Sequence, residues 1–353
     1  MKKIKDFAWP LIGLVALVGS GYLLYRELQG ISLAAVENSL RAIPAHRYGL
    51  AVLSTLVAYA ALAWYDRIAL LHLGVRHISW LFVSICSFTT YALSHNIGAS
   101  VFSGALVRYR AYSAKGLSAA QVGVLVALCS FTFGLGTMLL GGSVLVLDPS
   151  LLTRLEGKLP SALTNPTTAR VVGFVLLGIV TLYVVGSLLR MKPLTIRAFK
   201  LEYPRPNIMA RQLVAAPLEL LGAAGIIYFA LPEAGNPGFM VVLAVFLASF
   251  SAALASHSPG GLGVFEIIFL TAMPEVPKVD VLAALLVFRL LYLLIPFALS
   301  IVTVLLYERA NLAKAFRRHD VPTTSTSLSN ADLAHPPLMA PPSLKRGQTT
   351  GTP

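Results

Sequence analysis

This chain of 353 residues encodes an all-α polytopic membrane protein, with about eight transmembrane helices and two re-entrant half-helices in two inverted repeats. Composition is the first reason. Hydrophobic residues make up 56% of the chain and charged residues 12%, and mean hydropathy is +0.75. Soluble domains carry about 25% charged residues, so this chain lacks the polar side chains to face water. Segment length is the second reason. The apolar runs are near the ~20 residues a membrane-spanning helix needs, and they are not ten-residue alternating strands. Third, the Lys and Arg behind the net charge of +13 sit between the apolar runs, as membrane topology demands. Soluble enzymes, nucleic-acid binders and disulfide scaffolds are excluded.

Taken in order, Met1-Lys2-Lys3-Ile4-Lys5 precedes the first apolar run. No small-x-small cleavage site follows at Tyr22 to Glu27, so the run reads as a first transmembrane helix and not as a signal peptide. Eight long apolar segments cover 7–26, 48–66, 79–95, 119–147, 169–189, 208–231, 239–256 and 281–306. Two shorter pieces, Val101 to Val107 and Leu262 to Met273, follow the third and seventh. Too short to cross, they are expected to be re-entrant half-helices. Cys86 and Cys129 fall inside apolar runs and read as small buried thiols.

Charge supports the turn-backs. Basic residues gather at Arg67 and Arg76, at Arg108, Arg110 and Lys115, through the 190–211 loop, and at Arg309, Lys314, Arg317 and Arg318. Simple alternation of eight spans would put some of these clusters outside. Two turn-backs put every cluster, and both termini, on the cytoplasmic side. The expected domains are a membrane domain over 1–306, with repeats over 7–147 and 169–306, and a disordered cytoplasmic tail over 307–353. The tail holds six prolines and ten Ser/Thr, a composition that cannot bury a core. No catalytic domain is expected after it.

An internal repeat marks the same two places. Ser94-His95-Asn96-Ile97-Gly98-Ala99-Ser100-Val101-Phe102 matches Ser256-His257-Ser258-Pro259-Gly260-Gly261-Leu262-Gly263-Val264-Phe265 with one extra residue in the second copy. Each copy ends a span and opens a half-helix, and their opposite orientations are those of an alternating-access transporter. Non-helical backbone at membrane depth is tolerated where it lines a wet cavity. Gly98, Pro259, Gly260, Gly261 and Gly263 would break helices there, and the half-helices they open would aim free N–H groups at an anion.

The ionisable residues in or beside apolar runs are Asp66, Arg108, Arg110, Arg211, Glu219, Glu266 and Arg289. A charge at the bilayer centre costs at least ~2.5 kcal/mol, so each needs a partner or a wet path. Glu219, Glu266 and Arg289 are expected to line a polar interior. Asp66 competes with a simple helix end, and Arg108 and Arg110 with topology anchors. His95 and His257 occupy matching places in the two turns. Without a second ligand at helical spacing, they read as hydrogen-bonding residues ahead of a metal site or proton relay. No metal and no cofactor is expected.

The stretch Ser103-Gly104-Ala105-x-x-Arg108-Tyr109-Arg110-x-Tyr112, with Gly116-Leu117-Ser118, resembles one signature of the lysylphosphatidylglycerol synthase transmembrane-region family. His257-x-Pro259-Gly260-Gly261-x-Gly263-x-Phe265-Glu266 resembles its second. Ala105 stands where the family often has a second glycine. The resemblance covers about residues 7–306. It implies a bacterial inner-membrane lipid flippase, similar to the amino-terminal half of the multiple peptide resistance factor, without the aminoacyl-transferase domain. The implied substrate is phosphatidylglycerol or its lysyl or alanyl derivative. Arg108, Arg110 and the half-helix ends would hold the phosphate, while Asp66, Glu219 and Glu266 face a cationic group. Candidate partners are a membrane phospholipid, a separate lipid-aminoacylating synthase and a second copy of the chain, with no nucleic acid. The competing classes are a lipid-modifying transferase, with His95, His257 and Glu266 catalytic, and a membrane scaffold for envelope synthesis.

Overall fold

The computed structural model describes residues 32–97, 100–157, 161–191, 194–196, 199–201, 204–256 and 261–319. The expected first span over 7–26 lies outside the described residues, as do Gly98, His257, Pro259 and Gly260. The chain divides into two units, Met1–Leu306 and Tyr307–Pro353. The first unit is a polytopic bundle of helices.

A short helix α1 (Leu33–Ala42) is capped by the Ser32 hydroxyl, which accepts from the Ala35 N–H. It is followed by α2 (Ala45–His72), whose 28 residues extend about 42 Å at 1.5 Å per residue. A loop leads to α3 (Trp80–Ile97) and α4 (Ser100–Ser113). Helix α5 (Ala119–Leu147) starts at a capping box. The Ser118 hydroxyl accepts from the Gln121 N–H, and the Gln121 side chain accepts from the Ser118 N–H. A 3₁₀ segment (Pro149–Leu155) and a single turn (Ser161–Thr164) precede α6 (Pro166–Leu188), which opens on an Asn165 cap and a first-turn proline.

The basic loop then forms a small antiparallel hairpin, β1 (Leu194–Ile196) with β2 (Phe199–Leu201). It is followed by α7 (Pro206–Ala230), α8 (Phe239–Ser256) and α9 (Val264–Ala272). The last span runs through α10 (Lys278–Phe288), a π-helical segment (Arg289–Leu294) and α11 (Ile295–His319). Six helices are long and apolar enough to cross a membrane: α2, α5, α6, α7, α8 and the stretch Lys278–Leu306. Helix α3 is not among them, because Ser84, Ser87, Thr89, Thr90, Ser94, His95 and Asn96 dilute its apolar residues.

Helices α2 and α7 form the antiparallel centre. Arg47, near the start of α2, donates to the carbonyls of Tyr228 and Phe229 at the end of α7, both at 2.9 Å. At the other end, Leu71 and His72 border the same cavity as Arg205 and Arg211. Small residues let the two backbones touch. A Cβ on Gly222 would lie 2.9 Å from the Ala58 nitrogen and the Ser54 carbonyl oxygen, the close approach that glycine gives packed membrane helices. Gly136 of α5 likewise sits against the Ala216 backbone. Helix α7 is accordingly the most buried span and α6 the least. Phe174, Val175 and Leu182 of α6 remain more than half exposed, a lipid-facing surface.

Both turn-backs are present, and they enter from opposite faces. The α3–α4 hairpin starts and ends beside the end of α2: the His77 ring lies 3.1 Å from the Lys115 carbonyl oxygen, and the Lys115 ammonium lies 4.8 Å from the centre of the Phe82 ring. The α8–α9 hairpin starts and ends beside the end of α7, where a Cβ on Gly235 would lie 3.5 Å from the Glu275 carbonyl oxygen. Since α2 and α7 are antiparallel, the series α2 to α5 and the series from α7 to the last span are inverted copies. In each, a long helix leads to an 18-residue arm, a short return helix and a full span.

Candidate functional site

Three buried charged groups organise the interior. In the first half, Asp66 of α2 is fully buried and accepts from Arg108 of α4, with Nη2–Oδ1 at 2.6 Å and Nε at 3.2 Å from each carboxylate oxygen. The Tyr112 hydroxyl donates to Oδ2 at 2.9 Å, and the Cys129 thiol lies 3.4 Å from Oδ1. The Arg108 guanidinium also covers the Tyr91 ring at 4.8 Å. Paired, hydrogen-bonded and stacked, these two charges satisfy each other, so the structure uses them to brace α4 against α2. Arg110, two residues on, points to another side of α4 and is exposed.

In the second half, Glu266 caps its own helix. Its Oε2 accepts from the Gly263 N–H at 2.7 Å, and Gly263 has φ +82°, a conformation that favours glycine. Its Oε1 accepts from Arg289 Nε at 2.6 Å and also from Arg289 Nη2. Gly261 has φ +67°, and a Cβ there would meet Ala253 at 2.9 Å, so the turn is closely packed on α8. In the first hairpin a Cβ on Gly104 would lie 2.7 Å from Ser94 Oγ, so α4 is likewise closely packed on α3. Ser103 lies one residue earlier on α4.

The third group differs. Glu219 of α7 is 2% exposed; its Oε1 accepts from the Tyr292 hydroxyl at 2.6 Å, and its Oε2 is buried with no partner among the described residues. The His95 ring stacks on Tyr292 with centroids 5.3 Å apart, and its Nδ1 is likewise buried and unpartnered. The walls come from both halves. The Tyr59 hydroxyl donates to the Tyr292 carbonyl at 2.9 Å, the Asn96 amide to the Leu293 carbonyl at 3.1 Å, and the Tyr65 hydroxyl to the Ala216 carbonyl at 3.1 Å. Two of these acceptors belong to the π-helical segment, a distortion frequent at functional sites. Thr89, Thr90 and Ser94 of α3 and Ser249 of α8 carry further buried hydroxyls with no partner among the described residues. The region therefore combines one carboxylate, an imidazole and aromatic faces at the seam between the inverted halves, chemistry suited to a cationic or hydrogen-bonding group.

The chain is 30% identical over 299 residues to the uncharacterized protein slr0712 of Synechocystis, covering 84% of this chain and 90% of that protein. It is also 30% identical over 257 residues to the inner membrane protein YbhN of Escherichia coli, covering 71% of this chain and 77% of YbhN. The chain belongs to the YbhN family. It is a multi-pass inner membrane protein like its namesake relative. No protein-family model matches it, so the likeness to the lysylphosphatidylglycerol synthase transmembrane region rests on the two motifs quoted above.

For this YbhN-family chain the sequence pointed to Asp66, Arg108, Glu266, Arg289, Glu219 and His95, and the structure joins them as two ion pairs and one buried cluster. It missed Tyr59, Tyr65 and Tyr292, and gave Tyr112 no role beyond its place in the first motif. A tyrosine amid apolar residues was the available signal, because its hydroxyl needs a partner once buried. Among the described residues, no group of three or more His, Cys, Asp or Glu is placed to hold a metal ion.

Proposed function

We propose that this protein is a phospholipid translocase of the inner membrane, moving phosphatidylglycerol or its lysyl or alanyl derivative between leaflets. The observation that carries the reading is Glu219, a buried carboxylate with one oxygen unpartnered at the seam of two inverted halves. An isolated carboxylate is costly in a dry interior, and a protein keeps such a group where a polar ligand meets it. The inverted hairpins supply the other requirement, two equivalent elements that can open in turn on opposite faces. The ammonium of an aminoacylated headgroup would meet Glu219, His95 and the tyrosine faces while the acyl chains stay in lipid. Arg108, braced on Asp66, would position α4 instead of holding the phosphate. A separate lipid-aminoacylating synthase would supply the charged lipid.

Reconstitution into liposomes with fluorescent phosphatidylglycerol and its lysyl derivative tests this. The wild type should equilibrate both lipids across the bilayer, and Glu219→Gln should slow the lysyl lipid about tenfold, the effect of losing one charge-assisted contact, and the plain lipid less. Leaflet exchange no faster than in protein-free liposomes would overturn the reading. Recovery of a chemically altered headgroup would replace it with a lipid-modifying transferase.

A further inference from the structure

Away from the central seam, a second feature has the chemistry of a binding site. A cavity of about 440 Å³ opens where α2 ends and α7 begins, lined by Arg76, Arg205, Arg211, His72 and Asn207 among others. Its volume falls in the range of small-molecule sites. Three arginines converge on it from parts of the chain about 130 residues apart, and no described carboxylate lines it. None of the three makes an ion pair or side-chain hydrogen bond with a described residue, whereas Arg41, Arg47, Arg108, Arg154 and Arg289 all have acidic partners. Topology alone asks only that basic residues lie in the same loops. It does not ask them to share one cavity.

We propose that this cavity binds the phosphodiester of an anionic phospholipid in the leaflet facing the basic loops. Guanidinium groups hold phosphate oxygens through paired, charge-assisted hydrogen bonds. A lipid is favoured over a soluble phosphate ester because the same face of α7 runs from Asn207 and Arg211 to Val214, which is 54% exposed. One turn beyond the arginines the surface is already apolar, the arrangement that a headgroup continuing into an acyl chain needs. The site would serve as a docking station ahead of the central seam and so extends the translocase reading. Its occupancy is measurable without any transport, so the two readings fail separately.

Full-length protein in non-ionic detergent would be titrated calorimetrically with dihexanoyl-phosphatidylglycerol, dihexanoyl-phosphatidylcholine and inorganic phosphate. Saturable binding of the anionic lipid, weaker binding of the zwitterionic one, and at least about tenfold weaker anionic binding in R76Q/R205Q/R211Q support the proposal. R76K/R205K/R211K keeps the charge that sets topology but loses the paired geometry. It should fall between wild type and the Gln variant, and it stands in if the Gln variant does not insert correctly. Equal lipid affinity in the wild type and the Lys variant overturns the paired-guanidinium site. Inorganic phosphate binding as tightly as the lipid, with the same arginine dependence, overturns the lipid and makes a soluble phosphate ester the occupant.

Discussion

Asp66 and Glu219 are both acids buried in spans, but only Asp66 has its charge fully met, by Arg108, Tyr112 and Cys129. The two should therefore respond to mutation in opposite ways. Asp66→Ala strands the Arg108 guanidinium and should cost about 3–5 kcal/mol, read as a large drop in thermal unfolding temperature. The double variant Asp66→Leu/Arg108→Met removes both charges and should recover most of that loss. Glu219→Gln removes a charge with one unpartnered oxygen, so the same assay should show unchanged or higher stability. A strongly destabilised Glu219→Gln would mean that the carboxylate supports the fold and is not poised for a ligand. The sequence displayed both acids but not this difference. Arg108 lies 42 residues from Asp66, and Tyr292 lies 73 from Glu219; one-dimensional spacing carries no record of such pairings.

Among the elements, the α2–α7 crossing depends on glycine. Gly222→Val would drive side-chain atoms into the α2 backbone at Ser54 and Ala58, and overpacking of this kind costs about 1–3 kcal/mol. A Cβ on Gly49 of α2 would meet no atom of the described residues within 4 Å, so Gly49→Ala should leave the unfolding temperature the same or raise it slightly. Equal effects at both positions would show that the crossing is looser than described. Six of the eight expected spans and both return helices were legible because hydrophobic length is a strong local signal, as in 119–147 against α5, whereas the expected span 79–95 is the more polar α3. The 3₁₀ segment at Pro149–Leu155 and the π-helical segment at Arg289–Leu294 were not. Each is fixed by tertiary partners such as Glu275 for Arg154 and Glu266 for Arg289.

For the molecule as a whole, the hairpins decide which loops share a face. A cysteine at Lys115 and one at Lys200 should react with a membrane-impermeant maleimide from the same side, the cytoplasmic one by the basic-loop rule. A cysteine at Glu233 should react from the opposite side. Labelling of positions 115 and 233 from one side would remove the first turn-back and the inverted arrangement with it. This much of the architecture was readable in charge placement and in the Ser-His repeat. Which helix each hairpin is fastened to was not, since that depends on contacts between helices far apart in sequence.

That fastening is unequal. The first return helix is tied back to the span before its hairpin through a fully buried pair, whereas the second is tied forward to the span after it through Glu266 and Arg289, whose side chain is 17% exposed. For a translocase without an energy source, detailed balance forces kcat/KM for the same lipid to be equal in both directions across a symmetric bilayer. It places no such constraint on kcat and KM separately. In that reading, two such ties of unequal strength would act as gates and bias the resting population toward one access state. In the proposed translocase the asymmetry would therefore act on saturation and not on direction: lipid from the leaflet served by the weaker gate would saturate the carrier at a different concentration from lipid on the other side, while net flux would still vanish once the leaflets are equal.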